Sequence, residues 1–137
     1  MSGRFERSVD SNLKALVRCM GEADAYLEAC DATAAETFAT RLALEEIVTN
    51  IIKYGFEDSE NHPIVVSISS DPTGTTVRIS DTGKPFDPLS APEPQTSGAA
   101  EDRPIGGLGL HFVREIFDDA VYRREQGRNV LELSKRR

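Results

Sequence analysis

The sequence is short of cysteine and histidine, and no stretch is built to enter a membrane. Its two cysteines, Cys19 and Cys30, fall on one expected helix, roughly 16 Å apart along its axis. A disulfide spans far less, so they do not pair within that helix, and free thiols suit a reducing compartment. There is no CxxC; His62 stands beside Pro63 in a loop and His111 stands alone, which argues against zinc. No apolar run approaches a membrane span, and the N-terminal MSGRFERSVD lacks a signal-peptide apolar region, so a cytoplasmic protein without membrane attachment is expected. Basic charge is also in deficit. Sixteen Lys and Arg against 23 Asp and Glu give a formal net charge of -7, with a pI near 4.8. A nucleic-acid binder needs clustered Lys and Arg to displace counterions, so this balance favours a basic protein partner instead. The C-terminal SKRR reads as a small solubilising tail.

What is present describes a single domain over residues 1–137: 39% hydrophobic and 28% charged residues are ordinary for a globule of this length. The chain is organised around Leu42 to Phe56, LALEEIVTNIIKYGF. Leu44, Ile47, Val48 and Ile51 recur at helical spacing and make one apolar face for packing on a sheet. Glu46 and Asn50, four residues apart, stand one above the other on the opposite flank, with Lys53 three residues further on. A solvated polar face is one reading of that flank. The other is a metal-bound phosphate site, since Mg²⁺ keeps its waters and needs few protein oxygens.

Ahead of this helix, Phe5, Arg7 and Val9 suggest a short strand, and Asp10 or Ser11 caps a helix with apolar positions Leu13, Leu16, Val17, Met20 and Leu27. After it, Ile64 to Ser69 and Thr75 to Ser80 read as strands joined by a turn at Asp71-Pro72-Thr73-Gly74. Period two puts Val77, Ile79 and Asp81 on one face, so Asp81 points where the core should be. A buried carboxylate is costly unless something donates to it. Either Asp81 closes a turn with Gly83, or its partner is a ligand amine.

Pro85 and Pro88 make the next segment irregular, and Leu89 to Arg103 has no periodicity. Such a loop is a lid or a plain insertion. Ile105-Gly106-Gly107-Leu108-Gly109-Leu110 then leads into a short amphipathic helix from about His111 to Phe117. Its glycines permit close backbone approach, and its following amides attract anions. It is neither a GxxxxGK[ST] loop nor a dinucleotide fingerprint. Ala120 to Glu125 and Asn129 to Ser134 form a closing hairpin about Gln126-Gly127. Helices and antiparallel strands come in runs, not in βαβ alternation, so the fold class is α+β, a two-layer sandwich with a mostly antiparallel sheet covered by helices on one face.

ExxxN on a helix, a strand ending in DxGxPF, a loop, then GGLGL and a helix together resemble the ATP-binding domain of the gyrase, heat-shock chaperone, histidine kinase and MutL superfamily, the Bergerat ATP-binding fold. The resemblance covers Leu42 to Leu133. Within the superfamily, EEIVTNIIKYGF, SDTGKPFDP and IGGLGLHFVREIFDDAVY look most like the anti-sigma-factor serine kinases of bacterial partner-switching systems. The resemblance implies ATP and Mg²⁺ as cofactors, Asn50 as the Mg²⁺ ligand and Glu46 as general base. Glu46 is preferred to Glu45 because its spacing aligns it with Asn50. It further implies Asp81 as acceptor for the adenine amino group, Gly83 giving the ring room, and Gly106, Gly107, Leu108, Gly109 and Leu110 along the phosphates. Lys53 is a second phosphate contact, and Arg103, in a lid over about 87–105, reaches the terminal phosphate. The expected substrate is a serine on a STAS-type antagonist, with a sigma factor as second partner and a homodimer as assembly. The other function weighed is a nucleotide-dependent binding module that holds a regulatory partner without phosphorylating it. A histidine-kinase fragment is disfavoured, since the first helix offers no acceptor histidine.

Overall fold

The computed structural model describes residues 3–90 and 107–137. Five strands, β1 (Phe5–Val9), β2 (Ile64–Asp71), β3 (Gly74–Asp81), β4 (Asp119–Glu125) and β5 (Arg128–Arg136), form one antiparallel sheet in the order β1-β2-β3-β5-β4. Four α-helices, α1 (Leu13–Ala29), α2 (Ala34–Ala43), α3 (Thr49–Tyr54) and α4 (Gly107–Ile116), complete an α+β sandwich with the helices on one face. Strict alternation explains the layering. Along β3, Thr75, Val77, Ile79 and Asp81 are buried while Thr76, Arg78 and Ser80 are not. Ile64, Val66, Ile68 and Leu133 join Val77 and Ile79 to make the inner face of the sheet. Leu27, Leu44, Val48 and Val113 close the core from the helix side.

Several local expectations are corrected. Asn12, not Asp10 or Ser11, caps α1, accepting from the Ala15 N–H at 2.8 Å. Asp10 and Ser11 are spent on the loop before β2, where Asp10 accepts from Asn61 and the Ser11 hydroxyl from the His62 N–H. The buried stripe of α1 is Leu16, Cys19, Ala23 and Leu27, whereas Leu13 and Val17 are 52% and 68% exposed. Small Cys19 and Ala23 let the helix approach the sheet, and the larger residues beside them fall off the contact face.

The central helix is not uniform. α2 passes into α3 through a π-helical turn, Leu44–Val48, that buries Leu44, Ile47 and Val48. A wide turn of this kind re-aims the residues that follow it, and it carries Glu46. The C-terminal tail is also more than solubilising. Ser134 and Lys135 lie within β5, and Arg137 reaches back to fully buried Glu36 at 2.8 Å. Glu36 is at once the third residue of a capping box with Thr33 and the acceptor for the Thr75 hydroxyl at 2.6 Å. Burial pushes its carboxyl up, but the bonds from Arg137, Thr75 and Thr33 outweigh that and hold it at about 2.

Candidate nucleotide site

The edge of the helix layer leaves a cavity between α3, the end of β3, the segment 83–88, α4 and the β4–β5 hairpin. Ile47, Ile79, Leu110 and Leu131 supply apolar walls, and Tyr54 and Phe86 stand at its rim. Such an apolar slot with few polar groups suits a flat, partly polar ring. Its polar side chains include Asn50 from α3, Asp81 from the end of β3 and Asn129 from the start of β5, beside Lys84 and Tyr122.

Asp81 is 3% exposed, as the alternation of β3 predicts. Its Oδ2 accepts from the Gly83 N–H at 2.7 Å and from Asn129 Nδ2 at 3.2 Å. The turn with Gly83 therefore exists, and it leaves Oδ1 without a bond among the described residues. A Cβ at Gly83 would lie 2.7 Å from the Gly55 carbonyl oxygen and 2.8 Å from Asp81 Oδ2. Glycine there admits the close approach of these protein atoms, and Lys84 N–H binds the same Gly55 carbonyl at 3.0 Å.

Asn50 donates through Nδ2 to the Glu46 carbonyl at 3.2 Å. A carbonyl only accepts, so this bond fixes which end of the carboxamide is oxygen. That oxygen, Oδ1, is buried and has no hydrogen-bond partner among the described residues. Native structures leave few buried acceptors in this state, and each asks for an explanation. The Glu46 side chain lies one turn away against α4, and a side chain at Gly109 would collide with its carboxylate. Burial raises the Glu46 pKa, Glu45 raises it further by repulsion, and Lys53 pulls it back. Glu45 itself faces solvent.

The structure thus brings Asn50, Asp81 and Leu110 onto one cavity, with Gly83 beside Asp81 and Gly109 against Glu46. Lys53 is exposed and does not line the cavity. The helix expected from His111 to Phe117 is instead α4, Gly107–Ile116. Gly107, Leu108 and Gly109 therefore belong to its first turn and not to a loop ahead of it. Glycine disfavours helix, but burial of Leu110 and Val113 and the fit of Gly109 on Glu46 override that preference. Gly106, Arg103 and the lid from 91 to 105 fall outside the described residues.

Sequence reasoning passed over Asn129, Tyr122 and Arg124. Asn129 Nδ2 also donates to the Lys84 carbonyl at 2.9 Å, while its Oδ1 accepts from the Tyr122 hydroxyl at 2.6 Å and the Phe86 N–H at 3.3 Å. Arg124 Nη1 donates to the Gly83 carbonyl at 2.7 Å. The signal was the pairing of Asp81 with Asn129 across β3 and β5, which joins residues 48 apart in the chain.

The model of the histidine kinase-like ATPase domain matches residues 9–135. The chain is 29% identical over 99 residues to the serine/threonine-protein kinase BtrW of Bordetella bronchiseptica, covering 71% of this chain and 68% of that protein. It is 32% identical over 95 residues to the serine-protein kinase RsbW of Listeria innocua, covering 66% of this chain and 60% of that kinase. Among solved structures, the RsbU and RsbW domains of Rv1364c from Mycobacterium tuberculosis superpose with a TM-score of 0.65 at 13% identity, over 98% of this chain and 32% of that one. The last likeness speaks for the fold alone.

Proposed function

Since the chain belongs to the histidine kinase-like ATPase domain family, we propose that it is an anti-sigma factor of the cytoplasm that binds ATP with Mg²⁺ and phosphorylates a serine of a STAS-type antagonist. The observation that carries this reading is the buried Oδ1 of Asn50, without a partner among the described residues, in the same cavity as buried Asp81. One is an unused neutral oxygen at the phosphate end, the other an acceptor at the base end. The kinase names of BtrW and RsbW support phosphoryl transfer as the use of that pair.

The donor set fits magnesium, because a carboxamide oxygen denied every other partner is the hard ligand that such an ion accepts. When bound, the ion neutralises charge on the phosphates. The remaining work belongs to the chain. Asp81 accepts from the exocyclic amine of adenine, and the apolar walls exclude water from the ring. The backbone of α4 at Gly107 and Gly109, flanked by Gly106, Leu108 and the Leu110 amide, faces the phosphates, with Lys53 and Arg103 as further cations. Glu46 takes the proton from the incoming serine hydroxyl as its oxygen bonds to the terminal phosphorus and the bond to the departing ADP oxygen breaks. The raised pKa of Glu46 suits a base held in a desolvated wall.

Phosphorylation puts nearly two negative charges on the antagonist, which a chain of net charge -7 then repels. The released kinase is free to hold a sigma factor. The reading includes one domain over residues 1–137, a lid over about 87–105 and a homodimer. It is tested by transfer of label from Mg·ATP to a serine of a purified STAS-type protein. Glu46→Gln is expected to lower the rate by roughly 10²- to 10⁴-fold with ATP binding retained. Full transfer by this variant removes Glu46 as base; tight ATP binding with no transfer by the parent chain makes it a binding module that holds its partner without modifying it.

A further inference from the structure

We infer that Asn129 is the residue that sets the base specificity of the cavity, by occupying one oxygen of Asp81 and so leaving a single acceptor for the ligand. The inference rests on the reading of the cavity as a purine nucleotide site. Asn129 is buried, and every group of its carboxamide is engaged. Its orientation is not ambiguous. The Lys84 carbonyl and the Asp81 carboxylate only accept, and the Phe86 N–H only donates, so Nδ2 must face the first two and Oδ1 the third.

The consequence lies in the number of acceptors Asp81 has left. A carboxylate with both oxygens open takes two parallel donors, and the N1–H and exocyclic amine of guanine present such a pair. Here Oδ2 already receives the Gly83 N–H and Asn129 Nδ2. What remains is Oδ1, which suits a single amine such as that of adenine. A ring offering two adjacent donors would leave one of them buried and unpaired, and that penalty generates discrimination. Asn129 also fixes the wall. Through the Lys84 carbonyl and the Phe86 N–H it ties the segment after β3 to β5, and Arg124 holds the Gly83 carbonyl from β4. Tyr122 in turn pins Asn129, since its hydroxyl donates to the carboxamide oxygen at 2.6 Å.

Asn129 acts through Asp81 and is a positioning residue, so the test reads a ratio that a loss of stability would not move. Affinities for Mg·ATP and Mg·GTP are measured by calorimetry on the full chain, on Asn129→Ala, on Asn129→Thr and on Tyr122→Phe, each first checked for a cooperative melt. The parent chain is expected to prefer ATP, and Asn129→Ala to lower the ATP-to-GTP affinity ratio at least about tenfold, the equivalent of one buried bond. Asn129→Thr keeps a hydroxyl donor for Asp81 and is expected to recover most of the preference. Tyr122→Phe, which removes one hydroxyl and keeps the ring, is expected to lower the ratio about threefold and serves if Asn129→Ala does not fold. A ratio unchanged in the folded variants, or a parent chain that binds the two nucleotides equally, overturns the inference. A parent chain that binds neither overturns the nucleotide reading beneath it.

Discussion

Glu36 at the start of the central helical run and Asn50 near its end are both polar side chains with buried oxygens, and the fold treats them in opposite ways. Each carboxylate oxygen of Glu36 has a partner: Oε2 takes the Thr33 N–H and Arg137 Nε, and Oε1 takes the Thr75 hydroxyl. Asn50 Oδ1 has none. The Glu36 carboxyl is held at about 2, whereas the nearby pKa of Glu46 is raised. One end of the helix is finished by the chain itself. The other leaves an acceptor open among the described residues, and that asymmetry separates the part that stabilises from the part proposed to bind.

The comparison is broken most severely at the finished end. Arg137→Met leaves buried Glu36 without its cation and is expected to lower the melting temperature by several degrees. Nucleotide affinity, measured where the variant is still folded, should not change. A melt unaltered by the substitution would show that Glu36 does not depend on the pair. Acid tests the same contact without mutation. The folded pKa lies below the ordinary 4.5, so the stabilisation is fully present above about 4.5 and is lost as pH falls from there through about 2. The unfolding free energy of the parent chain should decline over that window, and Glu36→Gln should flatten the decline.

At the unfinished end the sign reverses. Asn50→Ala removes a buried acceptor that has no partner, so the ligand-free protein should melt within about 1 kcal/mol of the parent, on either side. The extra stabilisation conferred by Mg·ATP should then disappear, because mass action stabilises only what binds. A ligand-free melt lowered as far as that of Arg137→Met would erase the distinction between the two ends.

How much of this the sequence carries differs between the same two regions. The strands and the buried direction of Asp81 follow from a period of two, and the fold bears them out; Asn50 still bonds the Glu46 carbonyl, but across a π-helical turn and not at the 3.6 period expected. The π turn at Leu44–Val48 was not legible, because its residues are ordinary helix formers and the widening is imposed by packing. Neither was the start of α4 at Gly107, where tertiary contact overrides glycine's preference. Arg137 and Asn129 were missed for a third reason. Each acts on a residue far away in the chain, 101 positions for Glu36 and 48 for Asp81; the pairing of β3 with β5 joins Asn129 to Asp81, and the seating of α2 on the end of that pair joins Arg137 to Glu36.

The smallest expected effect sharpens the comparison within the site. Glu46 is raised first by burial and then by Glu45, and is lowered by Lys53. A general base works only when ionised, so the rate of transfer should fall on the acid side through the Glu46 pKa. Glu45→Gln removes the repulsion and should move that acid limb to lower pH. Lys53→Gln removes the attraction and should move it to higher pH. Both side chains face solvent, so each displacement should shrink as salt is added; the plateau rate should stay within about twofold of the parent for Glu45→Gln, whereas Lys53→Gln also removes a proposed phosphate cation and should lower it. Opposite movements of the limb separate an electrostatic influence on the base from a distortion of the helix, since distortion has no reason to change sign with charge. Limbs that move together, or not at all, would mean that the group titrating in the profile is not Glu46.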